Sequence, residues 1–548
     1  MADIIVVGGG LAGTVVASRL HQRLPDLDIV LIEAGPDPSD NPNVTNFADG
    51  AKLHFSELDS KFMTMPQEGL DGKSKYNCAA KALGGGTVIN YGGWTRGDVQ
   101  DYDEWARNVK DQRWSYNSLL PYFKRCETHH DPNADPEQHG FDGPVHTTSV
   151  TSSGREYPLR ESVLKLWKTQ GLEYKSDLND GSPQSISDLV ESWHDGKRQL
   201  TQSVYSLDGV IVRTSTTAQR IILDDNNTAT GVELLNSGIL HLKPGGQIIL
   251  SAGAYRTPQL LMLSGIGDQA HLASHGIPVQ VDLPGVGQNL HDHLVCYRYW
   301  KLRHPERDLA LGFPLFSGEN YDKGGPADFL VRTTIPSPEL KDALEKDVGD
   351  TVPDTHALLQ DRTHLEHGLL YAGFGAESLG LTIPAGGNCI TSFFMSCLPT
   401  SRGSVMLSTP SAADAPIIDP NYRNSDIDAH VLRHAFRGHT SLFLDTPEGR
   451  EIVEEEFTPP GYPVLGVDAS DEQIDARIRF GAQSCFHPAG TTAMGSVVDG
   501  SLKVHGTEGL RVVDASVIPE PLAAHLQVPI YAIAEQAVDI ILEECFWP

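Results

Sequence analysis

Three glycines, an acid and two histidines are the residues of this 548-residue chain whose types and spacing carry chemistry. Gly8, Gly10 and Gly13 form Gly-x-Gly-x-x-Gly, and Glu33 follows about twenty residues later. That is the spacing of a dinucleotide site. The first glycine makes a tight turn, the second lets backbone approach a pyrophosphate, the third lets helix and strand pack closely, and the acid bonds a ribose hydroxyl. His487 and His525 are candidates for proton transfer, because imidazole changes charge nearest neutral pH. Isolated histidines in apolar surroundings are usually satisfied core residues, so residue type alone does not make these two catalytic.

The elements that must hold these residues are legible around them. Ile4, Ile5, Val6 and Val7 read as a buried parallel strand; Leu11, Val15, Val16 and Leu20 recur at near-helical spacing; Ile29, Val30, Leu31 and Ile32 form a second strand ending at Glu33. Together they make a complete βαβ unit whose helix N-terminus faces the phosphates. Toward the other end, Leu510, Val512 and Val513 read as a strand before a turn at Asp514. After His525, Pro529 suits a first helical position, and Ile530, Ile533, Ala534, Ala537, Val538 and Ile541 form an apolar helical face. The positive end of that helix lies beside His525, where it would favour a negatively charged group.

Between these ends, Val210 to Val212, Ile221 to Leu223 and Ile248 to Leu250 suit strands of the nucleotide domain. Thr257 is expected to N-cap a helix with Pro258 in its first position and Gly265 as its stop. From about Tyr297 to Ala482, alternating runs at Ile390 to Phe394, Ser404 to Leu407 and Pro416 to Ile418 predict an antiparallel sheet with helices between. The expected class is therefore α/β, or α+β overall.

Composition narrows the partners. Asp and Glu number 72 against 42 Lys and Arg, a net charge of -30, which argues against nucleic acid or an anionic membrane. No apolar run reaches the length of a membrane span. The first strand begins at once, leaving no room for a signal peptide, so an intracellular, cytoplasmic location is expected. The seven cysteines are scattered and lack a Cys-x-x-Cys pair, so free thiols are expected. His129 and His130 sit in a polar loop; adjacent side chains diverge and no second cluster completes a ligand set, so no metal is expected.

Longer motifs carry a family likeness. Lys81-Ala82-Leu83-Gly84-Gly85-Gly86-Thr87-Val88-Ile89-Asn90, then Tyr91-Gly92-Gly93-Trp94-Thr95-Arg96-Gly97, Tyr102-Asp103-Glu104-Trp105 and Asp282-Leu283-Pro284-Gly285-Val286-Gly287-Gln288-Asn289-Leu290-His291-Asp292-His293 follow in order. So do Ser401-Arg402-Gly403, Asp419-Pro420-Asn421-Tyr422 and the stretches around His487 and His525. In these motifs the chain resembles the glucose-methanol-choline oxidoreductases, which are FAD-dependent. Here Gly86 and Thr87 stand where the family usually has two serines, and Val88 and Ile89 stand where some members link FAD covalently through histidine.

The resemblance implies a Rossmann-like FAD-binding domain over 1–296 with polar substrate-side excursions near 127–200, a mainly antiparallel substrate domain over 297–482, and a return to the FAD domain over 483–548. It implies FAD, bound noncovalently, against Gly8, Gly10, Leu11, Gly13, Glu33, Gly85, Thr87, Asn90, Gly93, Ala218, Asp514, Ala515, Gln527 and Val528. Some of these contacts would be made through backbone. It makes His487 and His525 the catalytic pair of an alcohol oxidoreductase, with His487 as base and His525 orienting the alkoxide. Hydride then passes to flavin N5, and reduced FAD gives its electrons to oxygen or another acceptor. His291 and His293 read as hydrogen-bonding scaffold. Trp94 would either line the pocket, suiting an aromatic or otherwise flat small-molecule alcohol, or serve as a packing residue. Two other classes stay open: an FAD-containing hydroxynitrile lyase, which some relatives are, and a noncatalytic flavoprotein.

Overall fold

The opening run folds as its pattern dictates. In the computed structural model, which describes residues 1–311, 323–383 and 386–545, the strand Ala2–Val7 lies parallel to Ile29–Ile32 on one side. On the other side it is parallel to the end of Gly238–Leu250. The helix Leu11–Arg23 crosses between the first two strands. Ile211–Arg213 extends the sheet beyond Ile29–Ile32, and Leu510–Val512 extends it beyond Ile248–Leu250, both parallel. Ile4, Ile5, Val6, Ile29, Leu31, Ile248 and Ile249 are all fully buried, as central parallel strands covered on both faces require. Ala218–Leu223 and Ala229–Leu234 add an antiparallel extension on the first half of Gly238–Leu250.

The helix Gln527–Cys545 packs against Leu11–Arg23 and Tyr116–Cys126. It is buried over more than the one face its sequence suggests, with Tyr531, Ala532, Ile540 and Leu542 inside as well. The expected start of the helix at Thr257 is corrected. That helix runs Gly253–Leu263, starting five residues earlier with Ala252 at the N-cap and Pro258 inside it. Proline leaves the carbonyl four residues back without its helical donor. Here the Thr491 hydroxyl donates to that carbonyl, on Ala254, at 2.6 Å.

A second seven-stranded sheet is wholly antiparallel. Leu294–Leu302 pairs with Cys389–Ser396, which pairs with Leu365–Leu370, then Phe329–Thr333, then Ile186–Asp188. Val453–Phe457 and Gln483–Ser484 pair on the other side of Leu294–Leu302. The helix Asp426–Leu444 covers Cys389–Ser396. Ser404–Met406 and Ile417–Asp419, expected in this sheet, instead form a separate two-stranded ribbon. Ile186–Asp188, from the polar residues 127–200, closes an edge of the sheet. His129, read as solvated loop, is also buried, in the strand Glu127–His129. The reason is charge pairing: Glu127 meets the buried Arg96 guanidinium at 2.6 Å and His139 at 2.9 Å, so a polar strand is buried with its charges matched. Among the described residues no helix is long and apolar enough to cross a membrane, and the six cysteines whose side chains are described are free.

Candidate active site

The two sheets enclose one cavity of about 680 Å³ that runs from the glycine turn to the histidine pair. At the turn, Gly8 has φ +107°, and a Cβ there would fall 2.3 Å from the Ser251 carbonyl oxygen. A Cβ on Gly13 would lie 2.0 Å from Gly8 O, so the third glycine does the close helix packing and faces no cavity. Gly10 sits at the N-cap of Leu11–Arg23. Gly85, at φ +53°, backs onto it, and a Cβ on Gly85 would lie 2.5 Å from Gly10 Cα. Backbone from two segments is thus laid edge to edge along the cavity floor.

Glu33 reaches this floor from the end of its strand. Its Oε2 accepts from Gly9 N at 2.9 Å and its Oε1 from Gly35 N at 2.7 Å, leaving further lone pairs toward the cavity. Burial raises its pKa; the amides of Gly35 and Gly9 work against that rise. Ser251, also on the wall, has a buried hydroxyl without a hydrogen-bond partner among the described residues. Asp514 is spent on scaffold: its Oδ2 accepts from Gly253 N (2.8 Å) and the Thr257 hydroxyl (2.6 Å), its Oδ1 from Ser516. Asp514 and Ala515 therefore present backbone to the cavity beside the start of Gly253–Leu263.

At the far end, His487 and His525 face one another, ring centroids 4.9 Å apart and planes 50° from parallel. Each is tied from behind. His487 N donates to Asp292 Oδ1 at 2.9 Å, and its Nδ1 lies 3.0 Å from Nδ1 of His293. His525 N donates to the Thr95 hydroxyl at 2.8 Å, and its Nε2 lies 2.7 Å from Glu366 Oε1. The other oxygen of Glu366 takes two donors from Arg332, at 3.1 and 2.7 Å. Burial alone would raise the Glu366 carboxyl, but the His525 ring and Arg332 hold it well below the usual range, so it is ionised and keeps a proton on Nε2 of His525. The Nδ1–Cε1 edge of His525 lies over Gly93, where a Cβ would come 2.7 Å from Nδ1. Burial, reinforced by His525 and His293, pushes the His487 pKa well below its ordinary value. His487 is therefore a neutral ring at neutral pH, the state a proton acceptor needs.

Of the residues singled out in the sequence, Leu11, Asn90, Ala218 and Gln527 line the cavity together with those above. Asn90 Nδ2 donates to Gln527 Oε1 at 2.9 Å, and Gln527 Nε2 donates to Ser192 Oγ at 3.2 Å, which locks the segment after the triple glycine to the start of Gln527–Cys545. Thr87 and Val528 are fully buried away from the cavity. The expected place of Thr87 against the cofactor is corrected: its hydroxyl donates to Gly84 O at 2.7 Å and accepts from Thr201 N at 3.1 Å. Trp94 is corrected too. It is fully buried, its indole N–H donates to Glu127 Oε2 at 2.8 Å, and it does not reach the cavity.

Sequence reasoning missed Glu366, Arg332 and the aromatic wall. The available signal for Glu366 was a lone acid inside the apolar run Leu365–Leu370. The wall consists of Tyr91, Tyr297, Phe374, Phe393 and Phe486, from five separate segments, and no local pattern marks it. Tyr91 and Phe374 meet edge to face at 5.2 Å.

The cavity suits FAD on its own evidence: a glycine cradle that a side chain would fill, a buried acid and an unpartnered hydroxyl at its nucleotide end, and paired imidazoles where a flavin ring would end. Comparison with known proteins agrees. Residues 2–295 and 399–534 match the N-terminal and C-terminal parts of the GMC oxidoreductase family. The chain is 37% identical over 543 residues to the GMC-type oxidoreductase acuG of Aspergillus aculeatus, covering 99% of each chain. It is 33% identical to pyranose dehydrogenase of Agaricus xanthodermus, covering 98% of this chain and 92% of that one. Its fold superposes on formate oxidase of Aspergillus oryzae, in a variant solved to follow FAD modification, with a TM-score of 0.86 at 28% identity over 99% and 98% of the two chains. With its glycine cradle and histidine pair in the places described, the chain belongs to the GMC oxidoreductase family and is an FAD-dependent oxidoreductase.

Proposed function

We propose that the protein oxidises the CH–OH group of a small alcohol with an aromatic or otherwise flat body. The observation that carries this reading is the placement of both histidines at one end of a cavity whose adjoining wall is Tyr91, Tyr297, Phe374, Phe393 and Phe486. Such a wall binds a flat apolar ring by stacked and edge-to-face contacts. It offers few hydrogen-bond partners to a ring crowded with hydroxyls. FAD, when bound, supplies the hydride acceptor at N5.

The chain's own groups handle the proton and the developing charge. His487 Nε2 takes the hydroxyl proton while its backbone and Nδ1 are held by Asp292 and His293. The alkoxide that forms is stabilised by the His525 ring, oriented by Glu366. The aromatic wall keeps water from the reacting carbon. Attachment is noncovalent: in the segment where a linking histidine would sit, Val88 and Ile89 are buried aliphatic residues, so trichloroacetic acid is expected to release the flavin into the supernatant.

The test is anaerobic mixing with a panel of benzyl-type alcohols, aliphatic alcohols, pyranose sugars and aromatic cyanohydrins. Bleaching by benzyl-type alcohols ahead of the others supports the reading. Faster bleaching by sugars overturns the substrate class, cyanohydrin cleavage without bleaching makes the protein a lyase, and no response to any makes it a binding protein.

A further inference from the structure

Away from the flavin cavity, three histidines from three segments meet at the surface. His130 follows the strand Glu127–His129, His146 lies within Val145–Ser149, and His194 ends the short strand Trp193–His194. One ring nitrogen of each lies within 4.8 Å of the others. His130 and His146 are nearly coplanar, 14° apart, and meet nitrogen to nitrogen, Nε2 to Nδ1, at 2.7 Å. His194 lies flat against His146, centroids 4.1 Å apart.

The backbones that carry these rings are pinned. His130 N donates to Thr147 O at 2.9 Å. Gln199 clamps His146, accepting from its N at 2.9 Å and donating to its O at 2.6 Å. His194 is set by a hairpin turn in which Asp195 and Gly196 both take positive φ, 49° and 74°, as a two-residue turn of this kind requires. His130 is exposed and the other two are half-buried, so the cluster is open to ions from solvent.

We propose that His130, His146 and His194 form a binding site for one divalent transition-metal ion of the imidazole-preferring class, zinc foremost. A tetrahedral zinc with bonds of about 2.0–2.1 Å holds its nitrogens roughly 3.4 Å apart. The 2.7 Å pair therefore opens by under about 1 Å, and the third nitrogen, within 4.8 Å of both, is brought to the same spacing by imidazole rotation on fixed backbone. The fourth position goes to water or to the Asp195 carboxylate, 3.7 Å from His194 Nε2. The neighbouring trio Glu127, His129 and His139 is no rival, because Arg96 already neutralises Glu127. The site clips together strands that back the flavin segment, since Gln199 also donates to Ser192 O (2.7 Å) and Ser192 N to Gly92 O (2.8 Å).

The test is calorimetric titration of the chelator-treated holoenzyme with zinc chloride, with the thermal midpoint measured in parallel. One zinc per chain at micromolar concentration is expected, with a raised midpoint. In the His146→Ala/His194→Ala double variant, affinity should fall more than about a hundredfold, since loss of outer-shell partners alone costs 10–100-fold. The single His130→Ala variant, changed at the exposed rim, should fold normally and also bind more weakly. Absence of zinc binding below millimolar, or binding undiminished in both variants, overturns the proposal and leaves the three rings a hydrogen-bonded stack.

Discussion

His293 Nδ1 lies 3.0 Å from His487 Nδ1, and this contact sets which nitrogen of His487 is basic. Of two neutral rings in such a contact, one donates and one accepts. Backbone oxygens of Cys397 and Leu522 lie against the His293 ring and favour a proton on it, and burial keeps that ring neutral, its pKa lowered to about 4. With Nδ1 facing His487, the single proton of His293 sits on Nε2, so His487 donates from Nδ1 and keeps its lone pair on Nε2, toward the cavity. Replacing His293 by Leu is expected to slow anaerobic flavin reduction about tenfold or more, the worth of one hydrogen bond near 1.4 kcal/mol. KM should hardly move. Unchanged reduction would make His293 packing only.

His487→Ala should retain FAD and fold while slowing flavin reduction by roughly 10²–10⁴-fold, the usual value of a positioned base. His525→Asn should be milder, because an amide still donates to the alkoxide. Stopped-flow reduction distinguishes the two. If His525→Asn abolishes reduction while His487→Ala reduces rapidly, the roles are reversed.

The pH dependence follows from the same geometry. With His487 as the proposed base, reduction would require its neutral form, and the rate should rise with pH through that ionisation. The unperturbed histidine value is about 6.5. Burial, His525 and His293 lower the group, so the midpoint should lie on the acid side of that value and the rate should be level from neutral pH upward. A midpoint on the alkaline side would contradict the assignment.

Glu33→Gln should weaken FAD binding by about 1.5–3 kcal/mol, some ten- to hundredfold. The amide can satisfy only one of the Gly9 and Gly35 donors and offers less to a ribose. An unchanged FAD dissociation constant would reduce Glu33 to a strand-end scaffold.

Trp94→Phe removes a donor from the buried Glu127 carboxylate, whose pKa is held down to about 2, with Arg96 and His139 outweighing the effect of burial. A loss of about 1.5–3 kcal/mol in unfolding free energy is expected, read from denaturant midpoints, with KM for alcohols unchanged. A large rise in KM with stability intact would return Trp94 to the substrate pocket.

The sequence by itself determined the opening βαβ unit of the nucleotide half, because that unit is built from contacts close along the chain. A glycine turn, a helix behind it and an acid at the next strand end declare themselves by spacing, and Gly8, Gly10, Gly13 and Glu33 sit as their pattern requires. The histidine pair was reachable only through longer motifs, since nothing local tells a catalytic imidazole from a buried one. What the tertiary structure alone decided is which distant residues meet. Glu366 reaches His525 across 159 positions and His293 reaches His487 across 194. Thr87 and Trp94, adjacent in sequence to true cavity residues, are turned away by partners on other segments, Thr201 and Glu127. A side chain's direction depends on which buried polar group needs it, and those groups come together only when the two sheets close over the cavity.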